Sequence, residues 1–338
     1  MASARAGVRA AGASGGLARV WRTLSGRPET GALAATAALF IFFSLWADQF
    51  LTTDSLASTL AIAAELGIVA MAVTLLMIAG EFDLSVGSVL GMSSVLVAYA
   101  ATNLGLPVPL AIIAGLAGAA AIGLLNGVLV ATLRIPSFIV TLGALMFWRG
   151  VVSVITEGFP IDVPSSAVLE PFSHRFANGL NVSAFWFVLL MLVFAFLLGR
   201  SGFGNWVLAA GGNERAARGL GVPVDRVRIT LFVLTALTAG LVGVIQAGRF
   251  QSVDANRGEG LELEAIAAAV IGGARLTGGY GSVIGTALGC LMVGMIRNGL
   301  ALAGVASYWY TAIIGLLVVL AVVVNQAAGR TRPRTGGA

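Results

Sequence analysis

The chain has 338 residues, of which 58% are hydrophobic and only 10% charged, with a formal net charge of +5. A soluble domain carries about a quarter of its residues as charges, so this chain cannot cover a water-facing surface and lipid must solvate most of it. Its basic residues are all arginine and lie dispersed among connections. That argues against a nucleic-acid surface, and without lysine no Walker A phosphate loop can form.

Residues 1–28 are rich in Ala, Gly and Arg and read as a disordered cytoplasmic tail. The apolar run Gly31–Trp46 follows. A cleaved signal peptide would have a shorter charged region and a small-x-small site after that run, so a retained first helix is expected. Further apolar segments lie at Leu56–Ala79, Leu84–Thr102, Val108–Leu133, Ser137–Thr156 and Val182–Gly199, then at Ile229–Gly248, Leu263–Gly278, Ser282–Ala303 and Val305–Asn325. Several match the roughly 20 residues needed to cross about 30 Å of hydrocarbon. The fold expected is all-α: a polytopic membrane bundle of about ten transmembrane helices over residues 29–326, with a cytoplasmic tail at 327–338.

Arginine counting sets the orientation. With ten spans and the N-terminus inside, fifteen arginines fall on the cytoplasmic side; Arg175, Arg249 and Arg257 fall outside, and Arg149 and Arg297 within spans. Both termini are then cytoplasmic. Two connections are long. Glu157–Asn181, outside, holds the only histidine, His174; Arg200–Arg228, inside, holds a stretch suited to a short helix. There Asn213 can cap, Glu214 suits the positive helix end, and Gly221 can stop it.

Gly80-Glu-Phe-Asp-Leu-Ser-Val-Gly-Ser-Val-Leu-Gly91 is the most informative segment. Asp83 or Ser85 can accept from the free N–H groups opening the next helix. Alternatively the segment is re-entrant or a hinge, tolerated where protein or water surrounds it; the spacing leaves both open. Its Gly87-Ser-Val-Leu-Gly91 recurs as Gly281-Ser-Val-Ile-Gly285, a hint that two halves were built alike, though chance among Gly-rich helices accounts for it as well. Asn126 and Thr141 are polar groups within spans, serving as helix–helix glue or as lining of a polar path. Glu65, Arg149 and Arg297 are ionisable residues within or near spans; Arg149 and Arg297 fall near the outer span ends, where snorkelling and a functional role fit equally. With one histidine, one cysteine (Cys290) and no nucleophile–base spacing, no catalytic residue, metal site or disulfide framework is expected.

Taken in order, Gly80–Gly91, Gly123–Gly150 with its Leu-Asn-Gly, Arg-Ile-Pro and Thr-Leu-Gly, Gly211–Val222 with Gly-Asn-Glu-x-Ala-Ala-Arg, Glu264–Gly285, Arg297-Asn-Gly-Leu and Ser307-Tyr-Trp resemble the permease subunits of ribose-type ATP-binding-cassette importers. Glu81-Phe82 stands where many relatives carry Gly-Ile. The resemblance implies a bacterial inner-membrane protein that moves a monosaccharide or related polar solute and binds no cofactor. ATP is then hydrolysed by a separate cassette ATPase. Further partners implied are a second permease subunit, identical or not, and an extracytoplasmic binding protein, with membrane lipid around the whole. It also makes Asp83, Ser85, Asn126, Thr141, Arg149, Arg297 and Asn298 candidates for the translocation path or gate. Asn213, Glu214, Arg215, Arg218 and Asp225 become candidates for the ATPase-coupling loop. An ion-coupled secondary transporter of a small polar solute is the alternative reading.

Overall fold

The computed structural model describes residues 28–166, 169–306 and 308–330; the Arg-rich leading tail through Arg27, Ser307 of the Ser-Tyr-Trp motif and the tail beyond Arg330 lie outside the described residues. The chain is mostly helical. In order it forms α1 (Pro28–Trp46), α2 (Thr53–Ile78), α3 (Val86–Thr102), α4 (Val108–Leu133), α5 (Ser137–Thr156), β1 (Ile161–Asp162) and α6 (Glu170–Ser173). There follow α7 (Ser183–Arg200), α8 (Gly202–Gly212), α9 (Glu214–Gly219), α10 (Val224–Phe250), β2 (Ser252–Val253), α11 (Leu261–Ile271), α12 (Val283–Leu302) and α13 (Tyr308–Arg330).

Each apolar segment read from the sequence holds a helix. Among the described residues seven helices are long and apolar enough to cross a bilayer: α1, α2, α4, α5, α7, α10 and α12. The expected span over Leu263–Gly278 needs correction. Its helix, α11, stops at Ile271 after 11 residues, about 16 Å at 1.5 Å per residue and only half of a bilayer core. The cause is local: Gly273, Gly278 and Gly279 all have positive φ, a conformation open to glycine at no steric cost. At the other end of the chain α13 runs on to Arg330, into the stretch expected to be a tail.

Breaks between helices follow the same local logic. Thr52 accepts a hydrogen bond from the Ser55 N–H at the start of α2, satisfying an orphan donor. Arg134 takes a left-handed conformation after α4, and Pro136 then occupies the cap position of α5, its fixed φ suiting a helix start.

α2 runs through the centre, buried at every position from Ala63 to Ala79. α10 packs on α4 because glycines remove the side chains between them: a Cβ on Gly123 would lie 2.5 Å from the Phe232 carbonyl oxygen, and one on Gly127 would lie 2.9 Å from the Ile229 Cα. Close backbone approach of this kind is how helices associate where no water is expelled.

Two connections, 79–85 before α3 and 272–282 before α12, meet at the end of the molecule that carries α8 and α9. There the Gly279 N–H donates to the Ile78 carbonyl at 2.8 Å, and a Cβ on Gly278 would sit 3.0 Å from the Gly80 Cα. At the opposite end β1 and β2 pair antiparallel, Ile161 with Val253 and Asp162 with Ser252. The Thr102 hydroxyl, closing α3, donates to the Asp162 carbonyl at 2.8 Å.

Candidate functional site

Asp83 is fully buried, and both its oxygens are used. Oδ1 accepts from the Ser85 N–H at 2.9 Å and the Ser85 hydroxyl at 2.6 Å; Oδ2 accepts from the Thr235 hydroxyl at 2.8 Å. The Ser85 oxygen in turn accepts from the Asn126 amide at 2.9 Å. A buried carboxylate is tolerable only when satisfied in this way. The knot ties the 79–85 connection to α4 and α10. Of the two residues expected to cap α3, Asp83 accepts from the Ser85 N–H, whereas Ser85 makes no side-chain cap, its oxygen accepting from Asn126 instead.

Thr141 is also fully buried, its hydroxyl on the Ser137 carbonyl one turn back at 2.8 Å. Ser137 itself accepts from the Phe82 N–H at 3.1 Å, so the first turn of α5 fastens the same connection. Arg149 points from α5 to the stretch between β2 and α11, donating to the carbonyls of Ala255 at 3.2 Å and Arg257 at 2.8 Å.

Arg297 and Asn298 are adjacent in sequence but part company in space. Arg297 lies 4.0 Å from Glu264 and over the Tyr310 ring, its side chain 55% exposed. Asn298 faces α2, where its amide donates to the Ser55 carbonyl and hydroxyl and the Thr59 hydroxyl at 2.9–3.1 Å. Asn298 is thus a clamp between α2 and α12. Asn298→Ala is expected to lower thermal stability by about 1 kcal/mol, the scale of an interhelical polar contact in a membrane, read as a melting shift in detergent with helicity unchanged.

The second constellation surrounds α9. Asn213 accepts from the Ala216 N–H at 3.0 Å and caps the helix, and Gly221 follows with positive φ. Arg218 bridges Glu214 at 3.0 Å and Asp225 through two contacts of 2.9 and 2.5 Å. Arg215 and Ala216 are exposed, and Leu220 is 85% exposed.

Sequence reasoning missed the two residues that connect these constellations. Arg228, at the start of α10, pairs with Glu214 at 2.8 Å and with Glu81 at 2.8 Å; the Arg228 and Glu81 side chains are 14% and 11% exposed. Glu81 begins the connection that carries Asp83. A continuous chain of ion pairs therefore runs from the short helix α9 to the connection that carries Asp83. The only sequence signal was that Glu81 replaces an expected glycine; its partner lies far along the chain. Backbone contact reinforces the link, since a Cβ on Gly211 in α8 would overlap the Ile78 carbonyl oxygen and lie 2.8 Å from the Gly279 nitrogen.

Residues 55–322 match the family described as branched-chain amino acid transport system / permease component. The chain belongs to this permease family. Among its relatives is a probable ABC transporter permease protein, YphD, of Escherichia coli strain K12, 38% identical over 88% of this chain and 89% of that protein. The ribose import permease protein RbsC of the same strain is 35% identical over 88% of this chain and 94% of its own length. The autoinducer 2 import system permease protein LsrC of Salmonella typhi is 36% identical over 90% and 86% respectively. The permease is accordingly a multi-pass protein of the bacterial inner membrane.

Proposed function

We propose that this permease forms the translocation path of an ATP-binding-cassette importer for a monosaccharide or related polar solute. A separate ATPase powers it, docked on α9. The observation that carries the reading is the ion-paired mounting of α9. Its inward charges are satisfied by Arg218 and Arg228, which leaves Arg215, Ala216 and Leu220 presented outward for a groove on a soluble partner.

Arginine bias favours α9 on the cytoplasmic side with both termini, and ten crossings follow if α3, the pair of α11 and its glycine connection, and α13 each count as one beside the seven long helices. A second permease subunit completes the path and an extracytoplasmic binding protein delivers the solute at the β1–β2 end. ATP belongs to the partner, and no cofactor is assigned to this chain. An ion-coupled carrier gains nothing from the relatives, which are named as ABC or import-system permeases.

The test is co-expression of the tagged permease with a candidate cassette ATPase and their co-purification, repeated with Glu214→Arg. The wild type is expected to retain the ATPase. The variant reverses a charge facing Arg218 and Arg228, and is expected to insert normally while losing binding-protein-stimulated hydrolysis. Full stimulation in Glu214→Arg would remove α9 as the docking element.

A further inference from the structure

The connection between β2 and α11 does not stay at the surface. It leaves the β1–β2 pair, which is tied to the outer end of α3 through Thr102. It then descends along α3 until Gly258 rests on Gly87, where any Cβ would overlap the Gly258 carbonyl oxygen. Fifteen residues of helix separate Gly87 from Thr102, about 22 Å at 1.5 Å per residue. That is near the midpoint of α10, whose 27 residues span about 40 Å. The depth agrees with Thr235, fifteen residues before the end of α10, which meets Asp83 just before α3.

So the segment 254–260 re-enters the bundle from the β end, and α11 starts at mid-depth as a half-length helix. Gly91 supports the same descent, since a Cβ there would lie 3.0 Å from the Arg257 carbonyl oxygen. Arg149 anchors it by binding two of its carbonyls.

At this depth Asn256 and Glu259 are exposed, as is Leu263 in the first turn of α11 at 63%. An amide and a carboxylate at mid-bilayer cannot face hydrocarbon, and irregular backbone there is tolerated only against protein or in a water-filled cavity. We propose that segment 254–260 and the first turn of α11 line the polar path of the permease. Asn256 and Glu259 are its hydrogen-bonding groups toward a hydroxyl-bearing solute, and Arg149 is the positioning residue behind them. This rests on the transport reading above but displaces the lining from the buried residues Asp83, Ser85, Asn126 and Thr141 to an edge the sequence did not single out.

The test uses the full chain in liposomes, with Cys290→Ala removing the one native thiol and Asn256→Cys or Glu259→Cys supplying the probe. A membrane-impermeant cationic methanethiosulfonate is expected to label each at least about tenfold faster than Leu192→Cys on the outer face of α7, because only a hydrated thiol ionises to the reactive thiolate. In Asn256→Cys the cationic reagent should outpace an anionic one, and adding Glu259→Gln should erase that preference. Hydroxyl-radical footprinting of the unsubstituted chain gives a second reading, with Leu263 oxidised faster than Leu192.

Labelling no faster than at Leu192, or Leu263 as protected as Leu192, would mean that lipid or a second subunit seals this edge, and the assignment falls. Neither readout needs the ATPase or the cargo. Labelled cysteines without ATPase binding would sink the importer reading alone; silent cysteines with bound ATPase would sink the path alone.

Discussion

Arg228→Met is expected to abolish coupling between hydrolysis and transport, and to destabilise the permease by about 3 kcal/mol, the usual cost of removing one partner from a buried ion pair. The size follows from what is left behind. Glu81 loses its cation in a site where its side chain is 11% exposed, and Glu214 loses one of its two. The surface pair of Arg218 and Asp225 survives, so α9 still forms. What disappears is, among the described residues, the charged link between α9 and the connection that carries Asp83.

Arg228→Lys separates the two consequences. A single ammonium keeps the charge but lacks the planar fork that reaches two carboxylates at once. Stability should recover partly, while the solute moved per ATP stays low. Reconstituted vesicles with the binding protein and ATPase read that ratio, and a lysine variant with wild-type stoichiometry would show that charge alone suffices. Glu81→Gln should resemble Arg228→Lys, because the same contact is weakened from the other side.

The bundle was legible because each spanning stretch announces itself by length and by the scarcity of charge. The misreading of Leu263–Gly278 has the same physical root. A helix buried in protein and a helix buried in lipid use the same residues, so composition cannot show that α11 stops at Ile271 and starts at mid-depth. The twin Gly-Ser-Val motifs are clearer in hindsight. Gly87 and Gly91 admit the descending segment 257–258, and Gly285 admits the backbone of Gly272. Both are places where a helix is pressed against irregular chain.

The short helix α9 was legible down to its cap, since Asn213, Glu214 and Gly221 act through local rules. Arg218 with Asp225 lies within reach of such rules as well. The pairing of Arg228 with Glu81 was not, because it joins segments on either side of the seven helices α3 to α9. Nor did sequence adjacency inform on Arg297 and Asn298, which a helical turn of about 100° per residue sends to different neighbours. Polar residues in spans are readable as requiring partners; which partner they find is a tertiary property.

Gly211→Ala and Gly212→Ala should move stability in opposite directions, although the positions are adjacent and both close α8. Alanine is favoured over glycine in a helix by up to about 1 kcal/mol, and at Gly212 nothing lies within 4 Å of an added Cβ. Gly212→Ala is therefore expected to be neutral or slightly stabilising. At Gly211 the methyl meets the Ile78 carbonyl oxygen, which is accepting from the Gly279 N–H. These are backbone atoms of two glycine-rich connections and cannot rotate aside as a side chain would. Overpacking of this kind costs about 1–3 kcal/mol, and the lost hydrogen bond adds to it, so the clash outweighs the helix preference. Because α8 carries α9, the variant should also bind the ATPase more weakly than Gly212→Ala does. Equal melting temperatures for the two alanine variants would mean that α8 does not rest on the 79–85 and 272–282 connections as tightly as the Gly211 contact requires.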